Sequence, residues 1–137
     1  MSGRRAIAVA AFTLVCIAVI YLSVCSGPTT ATVPWMPRYL ALWLDGHDFI
    51  KNLLGFFVLG ITGMAAVGGE RPLIRPWRLA VVLTLFVVCL ELIQLKLPHR
   101  VADVRDVLAG WVAILLALAC DSIGRRIAAL CRTPGGS

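Results

Sequence analysis

The sequence predicts an all-α integral membrane protein, a four-helix bundle of transmembrane segments with both termini in the cytoplasm. Composition is the first reason, because 60% of the 137 residues are hydrophobic and the mean hydropathy is +0.91. A soluble domain is about 45–50% apolar, so this chain carries more apolar surface than a soluble core of its size would bury. The second reason is that the apolar residues form four runs, and the third is the distribution of cations between the loops.

The first apolar run, residues 6–25, carries no charge and follows Arg4 and Arg5. Arginines ahead of an apolar run are also typical of a cleaved signal peptide, and Cys25 lies in a weak match to a lipoprotein cleavage site. The run is about 20 residues long, which fits a membrane span better than the core of a signal peptide. We therefore predict a retained transmembrane helix.

Residues 26–44 contain three prolines and several aromatic residues, so a continuous helix is excluded and an interfacial position is favoured. We expect a segment lying along the membrane surface, with a short helix near residues 38–44. The second span is predicted at 49–67, where small residues at Gly55, Gly60 and Gly63 allow close packing against another helix.

The third span is predicted at 78–95 and the fourth at 104–120, the latter continuing as a more polar helix through Arg126. Residues 133–137 are expected to be a disordered tail, and the whole chain, 1–137, is interpreted as a single membrane domain. No internal repeat is visible.

The orientation follows from the cations, which are more numerous on one side of the predicted membrane. The side that holds both termini carries eight of them: Arg4, Arg5, Arg71, Arg75, Arg78, Arg125, Arg126 and Arg132. The other side carries five: Arg38, Lys51, Lys96, Arg100 and Arg105. This bias predicts that both termini are cytoplasmic. The formal net charge of +6 is thereby explained by topology, and nucleic acid is not expected as a partner.

Polar residues of the spans gather at their predicted outer ends, where three helices contribute. The candidate ligand-binding cluster consists of His47, Asp48, Lys51, Asn52, Glu91, Gln94, Arg100, Asp103 and Asp106. Residues three or four apart share a helix face, so each helix can present its polar groups in one direction. Glu91 is the most informative, because a carboxylate inside an apolar span is costly unless it is paired or protonated. We expect Glu91, Gln94, Arg100 and Asp106 to lie close together, near His47 or Asp48.

An ordinary structural interpretation competes with this one, since charges also collect at helix ends to reach water. It is preferred for Asp45, Lys96 and Arg105, because exposed ion pairs are common and weak. His47 and His99 have side chains suited to general base catalysis near neutral pH, but interfacial histidines are also common. Five cysteines without a CxxC spacing, and the absence of an HExxH motif, predict neither a metal site nor a cofactor.

Several short motifs together resemble the VanZ-like family of small bacterial membrane proteins. They are ELIQ at 91–94, LPHR at 97–100, AD at 102–103, DV at 106–107, HDF at 47–49, NLLGF at 52–56 and LG at 59–60. The resemblance covers about residues 45–119. The family often has asparagine and glycine where this chain has Gly110 and Ala113.

The resemblance implies an inner-membrane protein of the bacterial cell envelope. The founding member of the family is associated with resistance to glycopeptide antibiotics, and other members with envelope or exopolysaccharide systems. Our leading hypothesis is a multi-pass protein of the plasma membrane with an outer-leaflet polar pocket. The pocket would bind an amphiphile such as a lipid-linked glycan or a phospholipid. The alternatives are a membrane enzyme that uses the carboxylate and histidine cluster, or a non-catalytic subunit that partners an envelope-polysaccharide assembly.

Overall fold

The computed structural model describes residues 3–24, 37–68, 75–97 and 103–132. These residues form five helices: α1 (Gly3–Val24), α2 (Arg38–Asp45), α3 (Asp48–Val67), α4 (Pro76–Gln94) and α5 (Val104–Arg132). All except α2 are long and apolar enough to cross a bilayer. The all-α fold class with four spans is confirmed, and the chain is a multi-pass membrane protein. Its orientation relative to the cytoplasm stays a prediction.

Helices α1, α3 and α4 begin one to three residues before the predicted spans. Helix α4 begins two residues early, because Pro76 occupies the first helical turn, where the missing N–H of proline costs nothing. Helix α5 continues without interruption to Arg132, which confirms the predicted continuation of the fourth span as a helix through Arg126. The short helix expected near residues 38–44 is α2, whereas residues 26–36 and the tail 133–137 lie outside the described part of the chain.

Helix α3 is central to the bundle and packs against each of the other four helices, most extensively against α5 and α1. The facing side of α5 is built from small residues, and Ala109, Ala113 and Ala117 are fully buried. Short side chains let two backbones approach closely, which is the main source of attraction between helices in lipid. A Cβ atom added to Gly60 would lie only 2.6 Å from the Cβ of Ala117.

Two of the three glycines expected to mediate packing do so. An added Cβ on Gly63 would lie 3.0 Å from the Phe12 ring of α1 and 3.3 Å from Leu79 of α4. Gly60 packs against α5 as described above. The expectation for Gly55 is wrong, because an added Cβ there would meet nothing within 4 Å. Gly55 lies on a different face of α3 from the contact with α5, which spacing alone did not reveal.

Contacts between the helices establish their directions. Phe56 lies beside Gly110, and Gly60, further along α3, lies beside Ala117, further along α5, so these helices run parallel. Helix α4 runs the opposite way, because its early residue Leu79 lies beside the late α3 residue Gly63, while Val87 lies at the level of Phe56. The starts of α3 and α5 and the end of α4 therefore meet at one end of the bundle, here named the polar end.

Candidate functional site

The polar end is organised in layers across three helices. Val87 of α4, Phe56 of α3 and Gly110 of α5 form one apolar layer, in which an added Cβ on Gly110 would approach Val87 to 2.7 Å and Phe56 to 3.3 Å. A residue four positions away on a helix lies on nearly the same face about 6 Å along the axis. One turn further out, the register places Glu91, Asn52 and Asp106 in the next layer.

Helices α3 and α5 are joined within this layer. The Asn52 side chain lies within hydrogen-bonding reach of the Asp106 carboxylate, and Asp48, Lys51 and Asp103 are close enough to interact electrostatically with it. An amide N–H can donate to a carboxylate, so this contact joins the two helices at the polar end. The structure therefore brings together the polar groups of the second and fourth predicted spans.

Helix α4 directs its polar residues into the protein. Glu91 is 8% exposed and Gln94 is 6% exposed, whereas the intervening Leu92 and Ile93 are 55% and 46% exposed. An amphipathic arrangement of this kind places the two polar side chains toward α5 and the two apolar ones toward lipid. Snorkelling to water at a helix end would give the opposite pattern, so Glu91 and Gln94 are not ordinary exposed helix-end residues.

The ammonium group of Lys51 is already engaged by a carboxylate of its own helix. Its Nζ lies 2.6 Å from Oδ1 of Asp48, and the Lys51 side chain is 28% exposed while that of Asp48 is 68% exposed. An anionic ligand would have to compete with Asp48 for this cation. Lys51 is therefore a poorer anion-binding residue than its charge alone indicates.

His47 connects the short helix α2 to the start of α3. Its Nδ1 lies 2.8 Å from the backbone oxygen of Trp43, and its ring stacks on the Trp43 indole with a centroid distance of 4.5 Å. A carbonyl oxygen only accepts hydrogen bonds, so Nδ1 carries the proton and Nε2 of the neutral ring is left as an acceptor. Trp43 was not among the predicted site residues, and helical spacing does not reveal the contact, because His47 lies two residues beyond the end of α2 and has a non-helical backbone conformation.

Asp103 has a structural role that the sequence also allows. Its Oδ1 accepts a hydrogen bond of 2.9 Å from the backbone N–H of Arg105, and its backbone oxygen accepts one from the N–H of Asp106. A carboxylate that satisfies a free N–H of the first turn acts as a helix N-cap and stabilises the start of the helix. Asp103 therefore positions Asp106.

An open cleft of about 470 Å³ lies where the start of α3 meets the start of α5. The residues that line it are Gly46, His47, Asp48, Phe49, Ile50, Asp103, Arg105 and Asp106. Arg105, which the sequence had assigned to ordinary surface pairing, thus faces the same space as four of the predicted site residues. The cleft is large enough to hold a small polar head group, and it opens to the surface.

Two predicted features cannot be placed. Arg100 and His99 lie outside the described residues, so the expected pairing of Arg100 with Glu91 stays a prediction. Among the residues that the structure describes, no group of three or more histidine, cysteine, aspartate or glutamate side chains is placed to hold a metal ion.

Comparison with known proteins adds no assignment. No protein-family model, curated protein sequence or solved structure matches this chain.

Proposed function

We propose that this chain is a VanZ-like inner-membrane protein of the bacterial cell envelope that binds the polar head of an amphiphile, such as a lipid-linked glycan or a phospholipid, at its polar end. The single observation that carries the proposal is the polar layer. Asn52 and Asp106 meet across α3 and α5, and Glu91 and Gln94 are buried at the same end of α4. Ionisable groups inside a membrane domain are costly, and they mark binding or transport sites by default.

The apolar layer beneath sets the depth of such a site. Gly110 packs so tightly against Val87 and Phe56 that an added methyl group would overlap Val87. A head group could therefore occupy the cleft and the polar layer, but it could not pass between these helices toward the middle of the bundle. Its acyl or polyprenyl chain would remain in the surrounding lipid, as an amphiphile requires.

The chemistry of the cleft favours a head group with hydroxyl groups. Asp106 lines the cleft and supplies acceptors. The Asn52 amide, beside Asp106 in the polar layer, supplies a donor, and both suit sugar or glycerol hydroxyls. Among the described residues that line the cleft, Arg105 is the cation, and it is the side chain that would meet a phosphate. Lys51 contributes less, because Asp48 already pairs with it.

Native mass spectrometry of protein extracted in a mild detergent tests the proposal. The wild-type chain should retain a lipid adduct, and Asp106→Asn should lose most of it because the carboxylate acceptor is removed. Asp121→Asn is the matched control. It makes the same change on the same helix, but far from the polar end, after the last buried residue of α5. Asp121 pairs with Arg125 there. Equal adducts in both variants, or no adduct on the wild-type protein, would contradict the proposal.

A membrane enzyme is the second candidate, and His47 is the observation that favours it. The hydrogen bond to Trp43 fixes the ring tautomer, so that Nε2 is available as a proton acceptor beside the cleft. An enzyme predicts that His47→Gln abolishes turnover of a bound lipid while the adduct is retained. If His47→Gln instead loses the adduct, and the wild-type chain does not convert the bound lipid, His47 serves binding and the enzyme hypothesis fails.

A purely structural subunit of an envelope assembly is distinguished by Glu91→Gln. The substitution keeps the shape of the side chain but removes its charge. In a scaffold it should lower the amount of assembled protein, because disturbing a buried charged network destabilises the fold. In a binding protein the fold should persist and the retained lipid should change.

A further inference from the structure

The end of the bundle opposite the polar end, here named the arginine end, brings together the starts of α1 and α4 and the end of α3. Phe12 of α1 and Leu79 of α4 both lie beside Gly63, late in α3. Further along α1, Val15 and Val19 continue to pack against the buried core, which extends from this level toward the polar end. Helix α1 therefore runs in the same direction as α4, and both begin at the arginine end.

The arginine end carries more cations than acids. Helix α5 also reaches it, because α5 runs parallel to α3. The described arginines of this end are Arg4, Arg5, Arg75, Arg78, Arg125 and Arg126. Asp121 is the acid of this end among the described residues, and it pairs with Arg125. Within the described part of the chain, no carboxylate lies within ion-pairing distance of the other five arginines.

Helix α4 places its first residues at the level of the lipid head groups. It has 19 residues and is therefore about 28 Å long, close to the hydrocarbon thickness of about 30 Å. Trp77 is 53% exposed, and tryptophan collects at the boundary between hydrocarbon and head groups. The guanidinium carbon of Arg78 lies 5.4 Å from the centre of the Trp77 ring, a cation–π contact that keeps this cation at the boundary.

Arg5 supplies an independent observation that indicates an anion. Its Nη2 nitrogen is shielded from solvent and has no hydrogen-bond partner in the described part of the chain, whereas the neighbouring Arg4 is exposed. A charged nitrogen that lacks both water and an acceptor is costly. A phosphate beside Arg5 would remove this cost by turning the guanidinium toward itself, since that group donates two parallel hydrogen bonds to phosphate oxygens.

Helical register brings Arg5 and Arg75 to facing sides of α1 and α4. Arg5 lies seven residues before Phe12 and shares its face, and Arg75 lies four residues before Leu79 and shares that face. Because Phe12 and Leu79 meet at Gly63, the Cα atoms of Arg5 and Arg75 lie within about 5 Å of each other along the bundle axis.

We propose that Arg5, Arg75 and Arg78 bind the phosphate of an anionic phospholipid in the leaflet around the arginine end. The acyl chains of this lipid lie along the face of α4 that continues from Arg78. That face is exposed and apolar, and it consists of Val81, Val82 and Leu85, which follow Arg78 at helical spacing. A free phosphate ion would use the arginines but not this apolar face, so the arrangement favours a lipid.

The charge of the arginine end favours an anionic lipid over a zwitterionic one. A phosphatidylcholine head group brings a cation of its own, which the unpaired arginines repel, whereas phosphatidylglycerol carries a net negative charge. Basic clusters beside membrane spans bind acidic lipids for this reason. The positive dipole ends of α1 and α4 act in the same sense. This site lies at the other end of the bundle from the polar end and does not depend on the function proposed there.

Thermal unfolding in lipid nanodiscs tests the proposal. One preparation contains dioleoylphosphatidylcholine alone, and the second contains a four-to-one mixture of it with dioleoylphosphatidylglycerol. A ligand that binds only the folded protein raises the melting temperature, and the wild-type chain should melt at least about 3 °C higher in the mixture. A third preparation, phosphatidylcholine with added inorganic phosphate, measures binding of the free anion and should leave the melting temperature unchanged.

The variant Arg5→Gln separates this site from general attraction to anionic lipid. It should lose most of the shift, and in phosphatidylcholine alone it should melt at or above the wild-type temperature, because it removes a shielded cation without a partner in the described chain. Arg4→Gln is the matched control, which makes the same change at the exposed preceding residue and should keep most of the shift. The double variant Arg75→Gln and Arg78→Gln repeats the test on α4 and should also lose the shift.

Three results would overturn the proposal. Equal melting temperatures of the wild-type chain in the two lipid compositions would mean that the arginine end does not bind anionic lipid. A shift from inorganic phosphate as large as that from phosphatidylglycerol would mean that the site takes the free anion. If Arg4→Gln loses as much of the shift as Arg5→Gln, or the double variant on α4 loses none, the attraction is diffuse and no site is formed between these helices.

Discussion

The contact between Gly60 and Ala117 makes a quantitative prediction about the α3–α5 interface. In Gly60→Ala the new methyl carbon would begin 2.6 Å from the Cβ of Ala117, whereas carbon atoms are in optimal contact at about 3.5–4.0 Å. The helices must therefore separate by about 1 Å at this point. Both contacting atoms are first carbons of their side chains, so no rotation about a side-chain bond can relieve the overlap.

The magnitude follows from two opposing effects. Overpacking of a close contact costs about 1–3 kcal/mol. Replacing glycine by alanine in a helix returns about 0.5–1 kcal/mol through the lower conformational entropy of the unfolded chain. We expect Gly60→Ala to lower the free energy of unfolding by a net amount of about 1–2 kcal/mol.

Gly55→Ala is the matched control, because an added Cβ on Gly55 meets nothing within 4 Å and only the favourable helix term applies. Fluorescence-detected size exclusion after heating in mild detergent measures both variants against the wild-type chain. Gly60→Ala should melt several degrees lower, and Gly55→Ala should melt at or slightly above the wild-type temperature. If the two variants have the same melting temperature, the reasoning about close approach of α3 and α5 is refuted.

Three further predictions concern the neighbouring layers and the topology. Gly110→Ala should destabilise the protein by about 1–3 kcal/mol. Adding Val87→Ala should restore most of the loss, because Val87 is the side chain that the new methyl group meets. If the effects of the two substitutions on the free energy of unfolding simply add, the contact is contradicted. A double-mutant cycle of Asn52→Leu and Asp106→Leu should give a coupling energy of about 0.5–3 kcal/mol in thermal or denaturant unfolding, and a value near zero would mean that the two side chains do not interact. Lys96→Cys on a cysteine-free background should be labelled by an impermeant maleimide from the extracellular side of intact cells, whereas labelling only after the cells are opened would reverse the proposed orientation.

Much of the architecture was predictable from the sequence because bilayer crossing is decided by properties of single segments. A run of about 20 apolar residues must form a helix in lipid, since every backbone N–H and C=O group has to be satisfied within the segment. This requirement holds whatever the neighbouring segments do. It explains why the four spans predicted from the sequence are also found in the structure. The helical register within each span explains why Glu91 shares a face with Gln94, and Asp48 with Lys51.

Only the tertiary structure decided which faces meet. Gly55 and Gly60 look equivalent in the sequence, yet the rotation of α3 about its axis brings Gly60 against α5 and leaves Gly55 without a close neighbour. That rotation is set by packing against all adjacent helices together, so no single segment contains it.

The same holds for the polar end, where sequence spacing placed the candidate residues at one depth but did not identify their partners. Asn52 interacts with Asp106 because α3 and α5 are parallel and offset so that Phe56 lies beside Gly110. Lys51 pairs with Asp48 instead of facing the cleft alone. Hydropathy and helical period determine which groups lie at a given depth. The contacts between those groups depend on the register between helices. Small residues such as Gly110 set this register, because they allow the helices to pack closely.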